Sequence, residues 1–207
     1  CDVAGLPSAS LVQLHQWLLW NRERGTDPHC PELLAARAGK AFRALHGKPS
    51  ELQTAVRDVL LLSCGVEGVE EEHRTSEGWT VDLLVTWRGT SVAVEVDGPS
   101  HFLRGSAVPT GATKLKARQL KAFAPTTPLV NLAWFTWDAL PAVRQGAHLT
   151  GLLERAVLAA ESGEQAPVPA PSASVSRPKR RRRKAAASAA SLRTSFEAMA
   201  RQAVKDD

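Results

Sequence analysis

Three carboxylates in the middle of the chain are the residues whose types and spacing best suit chemistry. Asp82 and Glu95 each interrupt an apolar run, and Asp97 ends the second run. Acidic side chains are uncommon inside such runs because a buried charge needs a partner. If Arg88 and Gly89 form the two-residue loop of a hairpin, Asp82 lies directly opposite Glu95 on the neighbouring strand. Facing carboxylates repel unless a cation, a lysine or a proton intervenes, so the spacing predicts such a partner.

A β-hairpin is predicted to position these acids. Residues 79–86 and 91–96 alternate with period two and are rich in Val, Leu, Trp and Thr, as half-buried strands are. The acids are expected on one face, and the other face is expected to carry Trp79, Val81, Leu83, Val85, Val92, Val94 and Val96. Asp97 has a second interpretation, a strand-ending turn in which Asp97 bonds its own backbone and Gly98 adopts an unusual φ. The sequence leaves both interpretations of Asp97 open.

A basic stripe is predicted on the helix that follows the hairpin. With Thr113 as the N-cap, Lys114, Arg118 and Lys121 recur at i, i+4 and i+7 and share one side of the helix. The irregular segment 103–112 before this helix is expected to form a mobile loop over the acidic face. The stripe suits contacts to phosphate, and an ordinary solvated surface is the alternative.

Three helices are predicted before the hairpin. Their expected starts are Ser8 or Ser10, Pro31 and Ser50. Ser50 and Gln53 form a capping-box pattern at the third helix. Trp17 and Trp20 in the first helix are assigned to core packing rather than to base stacking. Because the chain begins at Cys1 and not at Met, we expect these helices to be the last turns of a longer helical array.

The other predicted elements complete an α/β architecture. A strand with one polar face is expected over residues 66–74, and a buried strand over residues 129–135. The second of these follows the basic helix closely enough for a βαβ crossover to a parallel strand. A final helix is expected over residues 149–161. These elements predict a small mixed sheet with flanking helices.

The central residues of the chain closely resemble the RAP domain. The resemblance is carried by residues 81–82, by the string Val92-Ala-Val-Glu95-Val-Asp97-Gly-Pro-Ser-His101-Phe102, by residues 113–120 and by a strand ending in Trp137. RAP domains occur at the C-terminus of organellar RNA-regulating proteins, including FAST-kinase-domain proteins and octotricopeptide repeat proteins. The resemblance covers residues 66–140 and implies an RNA-associated domain preceded by helical repeats.

The RAP domain is in turn similar to a compact PD-(D/E)XK nuclease, so the resemblance implies a restriction-endonuclease-like fold. It implies Asp82, Glu95 and Asp97 as catalytic residues, with Asp82 and Glu95 as hard oxygen ligands suited to Mg²⁺. Asp97 stands where those nucleases keep a lysine, and this departure argues against efficient hydrolysis. No other cofactor is implied.

In an RNA-binding domain of this kind, the residues expected to contact RNA are Arg104, Lys114, Lys116, Arg118 and Lys121, through phosphates, and His101 near the acidic face. The favoured function is binding of single-stranded organellar RNA in the processing, stability or translation of transcripts. The alternatives are a magnesium-dependent ribonuclease and a module that docks a ribosomal or nuclease protein. The expected location is a mitochondrion or a chloroplast, and the basic run Lys179 to Lys184 makes the nucleus the alternative.

Composition limits the remaining possibilities. The formal net charge of the 207 residues is +5, but seven of the 26 basic residues lie between Arg177 and Lys184, and the other 19 stand against 21 acidic residues. Basicity in the folded part must therefore be local. The three cysteines and six histidines have no metal-like spacing, which argues against a disulfide framework or a zinc site, and no apolar run is long enough to span a membrane.

Three segments are predicted from these patterns. Residues 1–65 form a helical segment, residues 66–162 form the RAP-like α/β domain, and residues 163–207 form a disordered, basic tail of low complexity.

Overall fold

Three helices precede the sheet in the computed structural model, which describes residues 5–45 and 47–162. They are α1 (Ser8–Glu23), α2 (Glu32–Arg43) and α3 (Glu51–Ser63). Ser50 caps α3, because its hydroxyl accepts a hydrogen bond from the Gln53 backbone N–H at 3.0 Å. The Gln53 side chain does not complete the predicted capping box: its Nε2 donates to the Asp82 carbonyl oxygen at 3.0 Å. That bond ties α3 to the sheet.

Four strands form one mixed sheet in the order in which they occur along the chain. They are β1 (Gly68–Arg74), β2 (Thr80–Trp87), β3 (Thr90–Asp97) and β4 (Leu129–Ala133). The predicted hairpin is confirmed, since Trp87 pairs with Thr90 across Arg88 and Gly89. Both loop residues have a positive φ, as a type I′ turn requires. Strand β4 pairs with β3 in parallel after α4 (Gly111–Phe123), as the sequence predicts.

Helices cover both faces of this sheet. On one face α3 and α6 (Ala142–Glu161) enclose the main core, which includes Val56, Leu60, Leu83, Val85, Val92, Val94, Val130, Leu132, Leu149 and Leu153. On the other face α4 contributes Leu120, which packs against Val81 and Ala93. Helix α1 lies against α2 and α4. The mixed α/β class is thereby confirmed.

The regular alternation of β2 breaks at Asp82, contrary to prediction. Val81 packs with Ala93 and Leu120 on the α4 side, whereas Leu83 belongs to the core on the opposite side. The β2–β3 pairing extends only as far as Leu83. Val81 and Trp79 therefore do not share a face with Leu83, because period-two alternation holds only while the ladder is regular.

Several predicted boundaries are also wrong. The apolar run 129–135 is not one strand: β4 ends at Ala133 and α5 (Trp134–Ala139) follows, with Trp137 buried in the main core. A short apolar run cannot be told from buried helix by periodicity alone. Strand β1 starts two residues later than predicted, and α6 starts seven residues earlier.

Trp17 and Trp20 are not core residues, because 45% and 38% of their surfaces are exposed. Among the described residues, no helix combines the length and apolar character needed to cross a membrane. The predicted tail, including Lys179 to Lys184, lies outside the described residues. The division at residues 65 and 162 stays a prediction.

Candidate functional site

A cavity of about 240 Å³ lies between the sheet and α4, at the end of β3 that carries the acids. Its lining comprises Gln16, Trp79, Glu95, Asp97, Ser100, His101, Thr110, Ala112, Thr113, Lys116, Ala117 and Asn131. Strands β3 and β4 supply its floor, because Glu95 and Asn131 are register partners in the parallel pair. Helix α4 supplies the facing wall. The cavity thus lies between four residues of the RAP-like string, Glu95, Asp97, Ser100 and His101, and the predicted basic helix.

Glu95 is the most deeply buried acid of the cavity, with only 3% of its side chain exposed. Its Oε2 lies 2.6 Å from the Lys116 Nζ, whereas its Oε1 has no hydrogen-bond partner among the described residues. Burial raises the pKa of Glu95 to about 7; Lys116 opposes this rise, and the nearby Asp82 and Asp97 increase it. Glu95 is therefore a carboxyl that titrates near neutral pH.

Lys116 is the positive partner that the acidic pair requires. It lies four residues before Leu120, which packs against the sheet, so the two side chains share the inner face of α4. The sequence predicts Lys116 as an RNA-contacting residue and a lysine as one possible partner of the acids, and the spacing of Lys116 from the buried Leu120 is consistent with the second role. Lys116 therefore pairs with Glu95 on the inner face of α4, whereas Lys114 and Lys121 are exposed.

His101 and Asp97 form a second oriented pair. The His101 Nδ1 lies 2.7 Å from the Asp97 Oδ1; Asp97 is buried and about a third of the imidazole is exposed. The short 3-10 helix Pro99–His101 brings the ring back over the end of β3. The hydrogen bond to Asp97 raises the pKa of His101. The turn interpretation of Asp97 is wrong, because its carboxylate bonds the imidazole and Gly98 has an ordinary φ of −69°.

Asp82 lies near this site but is engaged by the backbone. Its Oδ2 accepts a hydrogen bond from the Val96 N–H at 2.7 Å. Glu72, which faces the break in β2, has a φ of 52°, unusual for a residue other than glycine. Burial raises the pKa of Asp82, and the charge of Lys116 lowers it. The Asp82 carboxylate thus bonds the backbone of β3 just beyond Leu83 and Val94, the last paired residues of β2 and β3.

The exposed basic residues occupy the outer side of the same region. Lys114 and Lys121 are exposed on α4, and neither forms an ion pair with another described residue. Arg118 between them is paired with Glu23 of α1, with its Nε 2.5 Å from Oε1. Arg104 is exposed in the loop before α4. The predicted stripe therefore offers two unpaired lysines rather than three cations.

The loop before α4 is more regular than expected. Phe102 and Pro109 form an isolated antiparallel bridge, and the Leu103 N–H donates to the Val108 carbonyl at 2.8 Å. Helix α4 starts at Gly111, and its N-cap is Thr110 rather than the predicted Thr113. The Thr110 hydroxyl accepts the Thr113 N–H at 3.3 Å. The loop is a closed, hairpin-like connection that leads directly into the helix carrying Lys116.

The donor set does not fit Mg²⁺ in this arrangement. An ammonium group lies on Glu95, Asp82 is bonded to a backbone N–H and Asp97 is bonded to an imidazole. Within residues 5–45 and 47–162, no group of three or more His, Cys, Asp or Glu side chains is placed to hold a metal ion. The catalytic and metal roles of the three acids stay predictions that this geometry does not favour.

Comparison with known proteins supports a RAP-domain relationship. Over 81 residues the chain is 38% identical to a RAP domain-containing chloroplastic protein of rice, Oryza sativa subsp. japonica. The match covers 39% of this chain and only 12% of the rice protein. No family model matches the chain. The resemblance to nucleases stays an expectation.

Proposed function

We propose that this chain is the RNA-binding part of a protein that acts on organellar transcripts after transcription, in their processing, stability or translation. The similarity to the chloroplastic RAP domain-containing protein carries this proposal. In the same proposal, residues 1–65 are the end of a helical array, residues 66–162 are the RAP-like domain and single-stranded RNA is the partner. Chloroplast is the location that the relative's name favours.

The charge distribution on α4 supports phosphate contacts from one side of the domain. Lys114 and Lys121 are exposed seven residues apart, about two turns of helix, so they project in similar directions. Arg118 lies between them, but Glu23 already offsets its charge. Arg104 adds an exposed cation just before the helix. A local basic surface of this kind binds RNA by releasing counterions, even where the rest of the domain is near neutral.

We expect the double substitution Lys114→Ala/Lys121→Ala to weaken binding of single-stranded RNA and to make that binding less sensitive to salt. Each phosphate contact on a single strand contributes about 0.7 to the slope of log affinity against log salt. Losing two contacts should reduce the slope by about 1.4. Fluorescence anisotropy with labelled RNA at several salt concentrations measures both quantities.

Lys40→Ala/Lys48→Ala is the matched control, since it removes the same charge from exposed positions outside α4. It should leave most of the affinity intact. Thermal unfolding checks that each pair of surface changes alters stability by no more than about 0.5 kcal/mol per site. Equal effects of the two double variants would contradict a specific role for α4, and a parent chain that binds no RNA would refute the proposed function.

A further inference from the structure

We propose that the cavity between β3 and α4 accepts one unstacked nucleobase of the bound RNA, with the exocyclic amino group of the base donating to Glu95. This inference rests on the proposed function, since it assigns a ligand to the site beside the phosphate-binding lysines. Nucleobases that carry an amino group are adenine, cytosine and guanine. Binding of an extruded base in a protein pocket is a common way of reading single-stranded RNA.

The unmatched acceptor on Glu95 is the first observation behind this inference. Glu95 is almost wholly buried, its Oε2 is held by Lys116, and its Oε1 has no hydrogen-bond partner among the described residues. An unsatisfied buried oxygen costs free energy that a donor group would recover. Glu95 lines the cavity. A ligand that brings an N–H into this space is thus favoured.

The size and walls of the cavity suit a flat heterocycle. Its volume of about 240 Å³ exceeds the roughly 150 Å³ that accommodates benzene in an apolar cavity. Trp79 lines it, as does Ala117 of α4. Trp79 is held in place because its Nε1 donates to Gln119 Oε1 at 3.0 Å and its ring contacts Phe42 edge-on. An aromatic side chain held in place beside the cavity favours the apolar surface of a base.

The electrostatics favour a base over a phosphate inside the cavity. Both cations that line it are already paired, Lys116 with Glu95 and His101 with Asp97. A phosphate would therefore meet two carboxyl groups without an unpaired cation among the lining residues. The lysines on the outer side of α4 remain available to phosphates. The inside of the cavity therefore suits the neutral edge of a base with its N–H donors. The exposed lysines outside the cavity suit the phosphates of the same RNA molecule.

Cytosine and uracil provide a minimal chemical comparison. They differ at position 4, where cytosine carries an amino group and uracil a carbonyl oxygen. The ring N–H of uracil is flanked by two carbonyl oxygens, which would face the carboxyl groups of Glu95 and Asp97. At pH 8, where the Glu95 carboxyl is mostly ionised, one hydrogen bond to this charged acceptor corresponds to about a tenfold difference in affinity. The parent chain should therefore bind oligocytidylate and oligoadenylate about tenfold more tightly than oligouridylate of the same length.

Filling the cavity tests the location of this preference. Ala117→Leu on the full chain should reduce the affinity for oligocytidylate and oligoadenylate to that for oligouridylate, and leave oligouridylate binding unchanged. Ala122→Leu makes the same change at an exposed position of the same helix that does not line the cavity. Ala122→Leu should keep the preference for oligocytidylate and oligoadenylate over oligouridylate. Anisotropy with eight-nucleotide RNAs measures the affinities, and thermal unfolding verifies the fold of each variant.

Glu95→Gln supplies a second variant of similar size, and it should also remove the preference for cytosine over uracil. Equal affinity of the parent chain for oligocytidylate, oligoadenylate and oligouridylate overturns the inference, whether or not the variants fold. So does a preference that survives in a folded Ala117→Leu chain, because the base is then read elsewhere. Absence of binding to every oligonucleotide would refute the proposed function itself, and this outcome is distinct from equal binding to all of them.

Discussion

At the scale of single residues, Lys116 explains how the chain tolerates acids inside a sheet. The Lys116 Nζ lies 2.6 Å from Glu95, and the two side chains are 20% and 3% exposed. Burial still dominates the titration of Glu95, whose pKa rises to about 7 despite the lysine. The pKa of Glu95 in the folded protein lies above the ordinary value of 4.5. Its contribution to the free energy of unfolding is therefore fully present below pH 4.5. Its contribution is lost as the pH rises through about 7.

We expect Lys116→Met to destabilise the protein more at pH 8 than at pH 5. Without the ammonium group, Glu95 at pH 8 must either remain an unpaired buried charge or take up a proton, and the unpaired charge costs about 3 kcal/mol. At pH 5 Glu95 is protonated, and removal of the lysine should cost much less. Urea denaturation at the two pH values measures the difference.

The double variant Glu95→Gln/Lys116→Met is the control for that experiment. It removes both charges, so the loss at pH 8 should be smaller than for Lys116→Met alone. A loss from Lys116→Met that is the same at both pH values, and unchanged in the double variant, would show that the two residues are not coupled.

At the scale of elements, α4 joins three surfaces of the molecule. Its inner face packs Leu120 on the sheet and presents Lys116 to Glu95. Its outer face exposes Lys114 and Lys121. A third side contacts α1, where the Arg22 guanidinium also lies 4.3 Å from the Phe123 ring centroid. The position of this one helix therefore determines the cavity wall and the basic surface together.

We expect Thr110→Ala to destabilise the protein by about 1 kcal/mol, the usual effect of losing a hydroxyl N-cap. The Thr110 Oγ1 accepts the Thr113 N–H in the first turn of α4. Thr110→Ser keeps that acceptor and should keep most of the stability. Chemical denaturation of the two variants checks the assignment. A serine variant as unstable as the alanine variant would mean that the methyl group, not the cap, is what matters.

At the scale of the whole molecule, charge is distributed unevenly along the chain. Of the 26 basic residues, seven lie between Arg177 and Lys184. This segment lies outside the described residues, and its role as a phosphate-binding tail stays a prediction. Non-specific RNA affinity should scale with the number of phosphates that the whole chain neutralises, not only with the lysines of α4.

We expect a chain ending at residue 162 to bind RNA more weakly than the full chain, with a smaller salt slope. A chain ending at residue 184 retains the basic run and serves as the control, so it should behave like the full chain. Anisotropy titrations between about 50 and 200 mM salt cover the range in which counterion release is informative. Equal affinities and slopes for all three chains would exclude a role for the tail in binding.

The sequence by itself determined the local features of this protein. Alternating apolar residues and the Arg88-Gly89 pair specified the hairpin and its register, because turn geometry and period-two alternation act between neighbours in the chain. The parallel strand after α4 and the need for a cation beside the acids were also predictable. The parallel pairing depends on the length of the connection, and the need for a cation depends on the repulsion of like charges.

The tertiary structure alone decided which side chains meet across the chain. Arg118 pairs with Glu23, which lies 95 residues earlier, and Lys116 pairs with Glu95 on the neighbouring sheet. The exposure of Trp20 is likewise set by how α1 packs. Helical periodicity places each of these residues on a side of its own helix, but it does not specify what lies opposite. That depends on the packing of whole elements, where burial and pairing are decided together.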